Sequence, residues 1–127
     1  MKELLAVCIG GAAGSAARYL FSLWARATFG QDFPYGTLGV NVIGSFAMGA
    51  LAYLARSTEL LSPTLALALT TGVLGGFTTY SAFNDDTVRF LQSGALARAA
   101  LNVGVTLVAC LAAGFAGVAL GRWIASP

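Results

Sequence analysis

Four long apolar stretches, separated by short polar segments, constrain this chain more than any other feature of its sequence. They cover approximately residues 4–25, 33–55, 62–84 and 99–121, and Arg18 is the single charged residue among them. A helix that crosses a bilayer needs about 20 apolar residues, so each stretch is long enough for one crossing. In a chain of 127 residues, the four stretches leave no room for a soluble domain. The sequence therefore predicts an all-α membrane protein whose residues 1–127 form a single four-helix transmembrane domain.

Charged residues are scarce throughout the chain, which excludes most soluble classes of protein. They make up 9% of the sequence, whereas a soluble domain usually contains about 25%. The first apolar stretch is longer than the apolar core of a signal peptide, about 7–15 residues, so we expect it to be retained. Histidine, the commonest proton relay and metal ligand, is absent. The sequence has no ATP-binding motif and no catalytic constellation, so we expect neither an enzyme nor a nucleic-acid partner.

Positive charges are divided almost evenly between the two ends of the predicted helices. One side would carry Lys2, Arg56 and Arg122, and the other Arg26 and Arg98 with Arg89 close by. Orientation in the membrane follows an asymmetry of Lys and Arg in short loops, and this chain has almost none. A chain without such a bias can insert in both orientations, and two opposite copies could then pair as an antiparallel dimer. A single orientation is the alternative that charge alone leaves open.

Glycines recur four residues apart in three of the apolar stretches. The pairs are Gly10/Gly14, Gly72/Gly76 and Gly117/Gly121. Small residues at this spacing let the backbones of neighbouring helices approach closely. The sequence therefore predicts tightly packed helices.

Two polar residues lie within the first two stretches. A charge in a span is costly unless it reaches the interface or finds partners, so Arg18 either extends to the headgroups or lines an aqueous vestibule that attracts anions. Asn41, with Thr37 one turn earlier, carries two N–H donors. These donors either bond a neighbouring helix or are presented to a passing anion.

The fourth stretch carries a stripe of small polar groups. Asn102, Thr106 and Cys110 are spaced four residues apart, which places them on one face of a helix. Such a stripe either packs and bonds between helices or lines a hydrated track.

The third stretch contains the segment TTGVLGGFTTYSAFNDD, residues 70–86. The adjacent glycines Gly75 and Gly76 weaken a helix, and the hydroxyls that follow can bond their own backbone. We therefore expect the third helix to be broken in mid-membrane, which is tolerated where the backbone is buried in protein or lines water. Tyr80 and Phe83, three residues apart, share a helix face. Their electropositive ring edges could contact a small anion, or the two rings could simply pack.

Three segments together closely resemble the Fluc-type (CrcB-like) bacterial fluoride channels. They are GGAAGSAARY at residues 10–19, GTLGVNVIGSF at residues 36–46 and the segment at residues 70–86. The resemblance covers the whole chain and implies an antiparallel, dual-topology homodimer in the lipid bilayer of the bacterial inner membrane. It implies that cytoplasmic fluoride leaves passively through two pathways per dimer. It also implies a structural Na+ at the dimer centre, held by the backbone carbonyls of Gly75 and Thr78 from both copies.

The resemblance also implies which side chains line the fluoride pathway. Asn41 matches the asparagine of the second span, and Phe83 matches the second of two pathway phenylalanines. Tyr80 stands where the family most often has the first phenylalanine, and Asp86 stands where a glutamate is usual. Arg18 matches the arginine of the first helix and is placed at the vestibule. The other positions of the implied polar track are Thr37, Ser81, Asn102, Thr106 and Cys110.

Two alternatives are compatible with a short chain of four spans. A small multidrug/proton antiporter needs a protonatable carboxylate deep in its first span, and the first span here has no acid beyond Glu3. A non-conducting or specialised subunit of the same family is the second alternative. The departures at Tyr80 and Asp86 leave this alternative open.

Overall fold

The computed structural model describes residues 1–126, and all regular structure in that part of the chain is helical. The elements, in chain order, are α1 (Lys2–Phe29), α2 (Tyr35–Ser57), α3 (Pro63–Leu67), a π-helical segment (Ala68–Leu74), α4 (Gly75–Phe77), α5 (Tyr80–Gln92) and α6 (Leu96–Ala125). We call residues 63–92 the divided helix. The prediction of an all-helical chain is confirmed.

Three helices, α1, α2 and α6, are each long and apolar enough to cross a membrane. They coincide with the first, second and fourth apolar stretches of the sequence. The third stretch, by contrast, is distributed over α3, the π-helical segment, α4 and the beginning of α5. The three apolar helices support the prediction of a membrane protein.

The sequence explains where several of these elements begin and end. Pro63 occupies the first position of α3, where its missing N–H costs nothing, and the Ser62 hydroxyl accepts a hydrogen bond from the Leu65 amide at 3.3 Å. Gly30 ends α1 with φ of 81°, and Gly94 turns the chain between α5 and α6 with φ of 74°. Positive φ favours glycine because it has no Cβ. Local chemistry therefore fixes these boundaries.

Glycines allow two pairs of helices to pack with their backbones in close contact. A Cβ added to Gly117 of α6 would collide with the Phe46 carbonyl of α2, and one added to Gly14 of α1 would collide with the Val73 carbonyl of the π-helical segment. A Cβ at Gly10 would lie 2.6 Å from the Ala68 carbonyl oxygen. The bundle is thus held by α2 against α6 and by α1 against the divided helix. The glycine spacing predicted close packing but not these pairs.

Large apolar side chains lie mainly on the outside of the chain. Ile9 is 71% exposed, Val108 67% and Phe115 74%, whereas the buried apolar residues are mostly small. Such a surface is compatible with a lipid environment, because apolar side chains that face a bilayer need not be buried by other parts of the protein. The arrangement agrees with a chain that folds in a membrane.

Candidate functional site

The divided helix is interrupted at two threonines. α4 ends at Phe77 and α5 begins at Tyr80, and Thr78 (φ −79°, ψ 160°) and Thr79 (φ −155°, ψ 111°) are both extended. The sequence-based expectation placed part of the break at Gly75-Gly76, and this is corrected by the structure, because both glycines lie within α4.

Packing and capping explain why the interruption follows the glycines. A Cβ on Gly76 would lie 2.5 Å from the Gly11 carbonyl oxygen of α1, so this glycine is needed for close helix contact. The Thr78 hydroxyl donates to the Leu74 carbonyl at 2.9 Å and completes the first half of the helix. The Thr79 hydroxyl accepts from the Ala82 amide at 3.1 Å and caps the second half. A threonine at an N-cap satisfies an amide that has no helical partner.

Asn41 of α2 pairs with both backbone groups of Thr79. Its Oδ1 accepts from the Thr79 amide at 2.7 Å, and its Nδ2 donates to the Thr79 carbonyl at 3.0 Å. In a continuous helix the Thr79 amide would donate to the Gly75 carbonyl, so the Gly75 carbonyl loses that partner. One of the two amide hydrogens of Asn41 is used in this pairing, and the other remains for a further acceptor.

Arg18 of α1 lies against the interruption from another side. Its Nη1 donates to the Thr78 carbonyl at 3.3 Å. The side chain is half-buried and lines a polar cavity. Arg18 thus lines this cavity and lies beside the end of α4.

Two adjoining cavities form what we call the vestibule. The larger, about 620 Å³, reaches the interruption at Thr79, and the smaller, about 240 Å³, reaches the loop between α1 and α2 and the first residues of α2. Hydroxyl and charged groups line the larger cavity: Ser15, Arg18, Ser22, Arg26, Thr37, Thr79, Ser81, Asp85, Asp86 and Arg89. Three arginines face two aspartates there, which leaves the vestibule with one excess positive charge. Such a cavity attracts anions.

Asp86 and Thr37, both predicted site residues, are joined in the wall of the vestibule. The Thr37 hydroxyl donates to Asp86 Oδ2 at 2.9 Å, and Asp86 Oδ1 pairs with the Arg89 guanidinium. Asp85 also pairs with Arg89, at 3.2 Å, but its side chain is 70% exposed against 13% for Asp86. The two neighbouring aspartates therefore have different environments: Asp85 is a solvated residue of α5, and Asp86 is held inside the vestibule wall.

Tyr80 and Phe83 stand side by side at the start of α5. Their ring centroids are 5.6 Å apart and the rings are inclined by 53°. Tyr80 is 77% exposed, so its ring lies on the outer surface of a single chain. Ser81 is also exposed, and its hydroxyl lies 3.2 Å from that of Thr79. The spacing-based prediction of a shared face is consistent with this pair.

The α6 stripe is separate from the vestibule. Asn102 is 1% exposed and donates through Nδ2 to the Thr87 hydroxyl at 2.9 Å. The Thr106 hydroxyl is buried without a hydrogen-bond partner among residues 1–126, and Cys110 is half-buried. None of the three lines either cavity of the vestibule.

Thr87 is a polar contact that the sequence-based reasoning missed. Its hydroxyl accepts from Asn102 and donates to the Phe83 carbonyl at 2.8 Å, so it links α6 to the aromatic pair. The signal in the sequence is its position four residues after Phe83, on the same face of the helix.

Comparisons with known proteins identify the family of this chain. Residues 5–118 match the family model described as CrcB-like protein, Camphor Resistance (CrcB). The fluoride-specific ion channel FluC of Sorangium cellulosum is 52% identical over 122 residues, which covers 96% of each chain. Proteins of the same name from Anaeromyxobacter dehalogenans and Agrobacterium fabrum are 51% and 46% identical, over 98% and 96% of this chain and 99% and 98% of their own.

These matches confirm the resemblance drawn from the three sequence segments. They also confirm that the family is one of ion channels and not of enzymes. The small multidrug antiporter gains no support from them. The chain therefore belongs to the CrcB-like family.

Proposed function

We propose that this chain is a fluoride-selective channel through which cytoplasmic fluoride leaves the cell passively. The observation that carries the proposal is the pairing of Asn41 with Thr79 at the inner end of a cationic vestibule. Fluoride is small, strongly hydrated and a strong hydrogen-bond acceptor, so removing its water requires replacement donors. The second amide hydrogen of Asn41 and the hydroxyl of Ser81 are such donors, and the Thr37 hydroxyl becomes one when it leaves Asp86.

Selectivity follows from the same groups. Larger halides accept weaker hydrogen bonds and do not fit a narrow passage, and channels commonly select ions on these two properties. Beyond the vestibule the ion passes the ring edges of Tyr80 and Phe83, whose positive edges favour an anion without a fixed charge. The α6 stripe of Asn102, Thr106 and Cys110, which the resemblance also assigns to the pathway, lies outside the vestibule and is linked to Phe83 through Thr87.

The working unit in this proposal is an antiparallel homodimer with one fluoride pathway along each side of its interface. The even distribution of Lys and Arg supports insertion in both orientations. The interruption of the divided helix then lies in mid-membrane, where broken backbone is tolerated only if protein or water covers it. Tyr80 and Gly75, both exposed on a single chain, would be covered by the second copy.

A sodium ion at the centre of the dimer is part of the proposal, and the backbone here fits one. The Thr79 amide donates to Asn41, which frees the Gly75 carbonyl of its helical partner, and the Thr78 carbonyl accepts no amide of α5. Backbone carbonyls suit hard cations, and half-helix carbonyl ends are known sites for Na+ in membranes. When bound, the ion would supply positive charge to carbonyl oxygens of both copies.

The relatives are bacterial proteins, so we place the channel in the bacterial inner membrane.

Fluoride efflux from proteoliposomes tests the function. Purified protein is reconstituted with potassium fluoride or potassium chloride inside, and efflux is started with a potassium ionophore and followed with ion-selective electrodes. We expect rapid, ionophore-dependent fluoride release and retained chloride. Equal release of both halides would exclude selectivity. No release of either would favour a non-conducting subunit, and release driven only by a proton gradient would favour an antiporter.

A further inference from the structure

The carbonyl end of the first half of the divided helix faces an arginine. In a continuous helix the Ala82 amide would donate to the Thr78 carbonyl, but it donates to the Thr79 hydroxyl instead, at 3.1 Å. The Thr78 carbonyl accepts a hydrogen bond from Arg18 Nη1 at 3.3 Å. A guanidinium thus replaces the missing backbone donor.

The electrostatics of a helix end favour this contact. Aligned peptide dipoles place partial negative charge at the carbonyl end of a helix, and Arg or Lys side chains there are stabilising. A small metal cation is drawn to the same oxygens for the same reason. Arg18 and such a cation therefore compete for one oxygen, since each brings positive charge to it.

The charge of Arg18 is not cancelled by a carboxylate. Arg26 and Arg89 line the same cavity, as do Asp85 and Asp86. Both ion pairs found within residues 1–126 belong to Arg89. Within the described residues, the hydrogen bond from the Arg18 side chain goes to the Thr78 carbonyl and no carboxylate forms an ion pair with it.

We propose that Arg18 is a tethered cation that caps the carbonyl end at Thr78 and competes with sodium for that oxygen. The inference rests on the sodium site of the proposed function. Arg18 is a positioning residue in this account: it holds the interruption in place without sodium, and its charge weakens sodium binding. Removing the charge destabilises the sodium-free protein and tightens sodium binding.

Sodium titrations of thermal stability test the proposal. The melting temperature of the full-length protein in detergent is measured against sodium concentration, with N-methylglucamine keeping ionic strength constant. We expect Arg18→Gln to melt lower without sodium and to gain more from sodium, with its melting temperature beginning to rise at a sodium concentration at least about fivefold lower. Arg18→Lys keeps the charge and should stay near the wild type. Arg26→Gln is the matched control, since it removes a charge from the same cavity without touching Thr78, and should also stay near the wild type.

Each contrary result is decisive. Identical sodium dependence in wild type and Arg18→Gln overturns the proposal. An equal shift in Arg26→Gln overturns it as well, because the effect would then belong to the whole vestibule. Failure of Arg18→Gln to fold in saturating sodium also contradicts it, because sodium should compensate for the lost cap. Fluoride efflux from the same samples separates the cases: selective efflux with unchanged sodium dependence refutes only the role of Arg18, and absent efflux from the wild type refutes the proposed function.

Discussion

At the scale of single residues, the Asn41 side chain forms two hydrogen bonds with the backbone of the interruption, so only its remaining N–H is available to an ion. Its carboxamide matches one peptide group, with an acceptor for the Thr79 amide and a donor for the Thr79 carbonyl. An amide is the one common side chain with both functions in this geometry, since carboxylates lack donors and lysine lacks acceptors. The sequence-based alternatives for Asn41, bonding between helices or donating to an anion, are therefore not exclusive.

Asn41→Asp should impair both stability and transport. The carboxylate cannot donate to the Thr79 carbonyl, which loses its partner at a cost of about 1–3 kcal/mol, and its negative charge repels an entering anion. We expect a lower melting temperature and loss of most fluoride efflux. Gln92→Glu makes the same chemical change at an exposed position at the end of α5 and should alter neither. Normal efflux from Asn41→Asp would remove Asn41 from the pathway.

The hydroxyls of Thr87 and Thr106 predict different effects of the same substitution. Thr87→Val leaves the buried Asn102 amide without its acceptor, at a cost of about 1–3 kcal/mol. Thr106→Val removes a hydroxyl that has no partner among residues 1–126, so its stability should be unchanged or slightly higher. Thermal unfolding of both variants measures this contrast. If Thr106 lines the pathway, Thr106→Val should still slow fluoride efflux, and a stability loss as large as that of Thr87→Val would contradict the assignment.

At the scale of helices, the sequence predicted the continuous spans better than the interrupted one. The three long apolar helices follow from apolar length, because any long apolar run in a bilayer must satisfy its backbone internally. The predicted break included Gly75 and Gly76, whereas the structure keeps both glycines in α4 and has extended backbone at Thr78 and Thr79. The low helix propensity of glycine was outweighed there by packing. Gly76 is held in α4 by its contact with α1, and this contact depends on a neighbouring helix that local sequence does not describe.

In the candidate site, too, some features follow from local sequence and others depend on how the helices pack. Spacing was enough to place Tyr80 beside Phe83, and Asn102 in line with Thr106. The bonds of Asn41 to Thr79 and of Arg18 to Thr78 span 38 and 60 residues of sequence. Contacts at that separation are set by how the helices pack, so sequence could name the residues but not their partners.

Gly117→Ala should separate the effect of close packing from that of helix propensity. A methyl group at Gly117 meets the Phe46 carbonyl of α2, whereas one at Gly104 of the same helix meets nothing within 4 Å. We expect Gly117→Ala to destabilise the protein by about 1–3 kcal/mol or more. Gly104→Ala should be neutral or stabilising by about 0.5–1 kcal/mol, because alanine favours a helix over glycine. Thermal unfolding compares the two, and equal effects would show that α2 and α6 do not pack as described.

At the scale of the whole molecule, the proposed antiparallel dimer can be tested by adding charges that force the chain to insert in a single orientation. Lys and Arg in short loops set orientation, so a few added charges should fix a chain that has almost no bias of its own. Thr58→Lys with Glu59→Lys adds charge to the loop between α2 and α3, and Gln31→Lys with Asp32→Lys adds charge to the loop between α1 and α2. The two variants should insert in opposite orientations.

An antiparallel dimer requires both orientations in the same membrane, so each biased variant should lose most fluoride export when it is produced alone. Their co-production should restore export, because opposite copies can pair again. Growth of fluoride-sensitive bacteria on fluoride, together with labelling of a terminal tag from either side of the membrane, measures function and orientation in the same cells. Thr58→Gln with Glu59→Gln, and Asp32→Gln beside the native Gln31, provide neutral controls, which should insert both ways and remain active. Full export by a variant whose copies all share one orientation would show that a parallel assembly conducts, and the shared carbonyl site at the dimer centre would then be lost with the antiparallel arrangement.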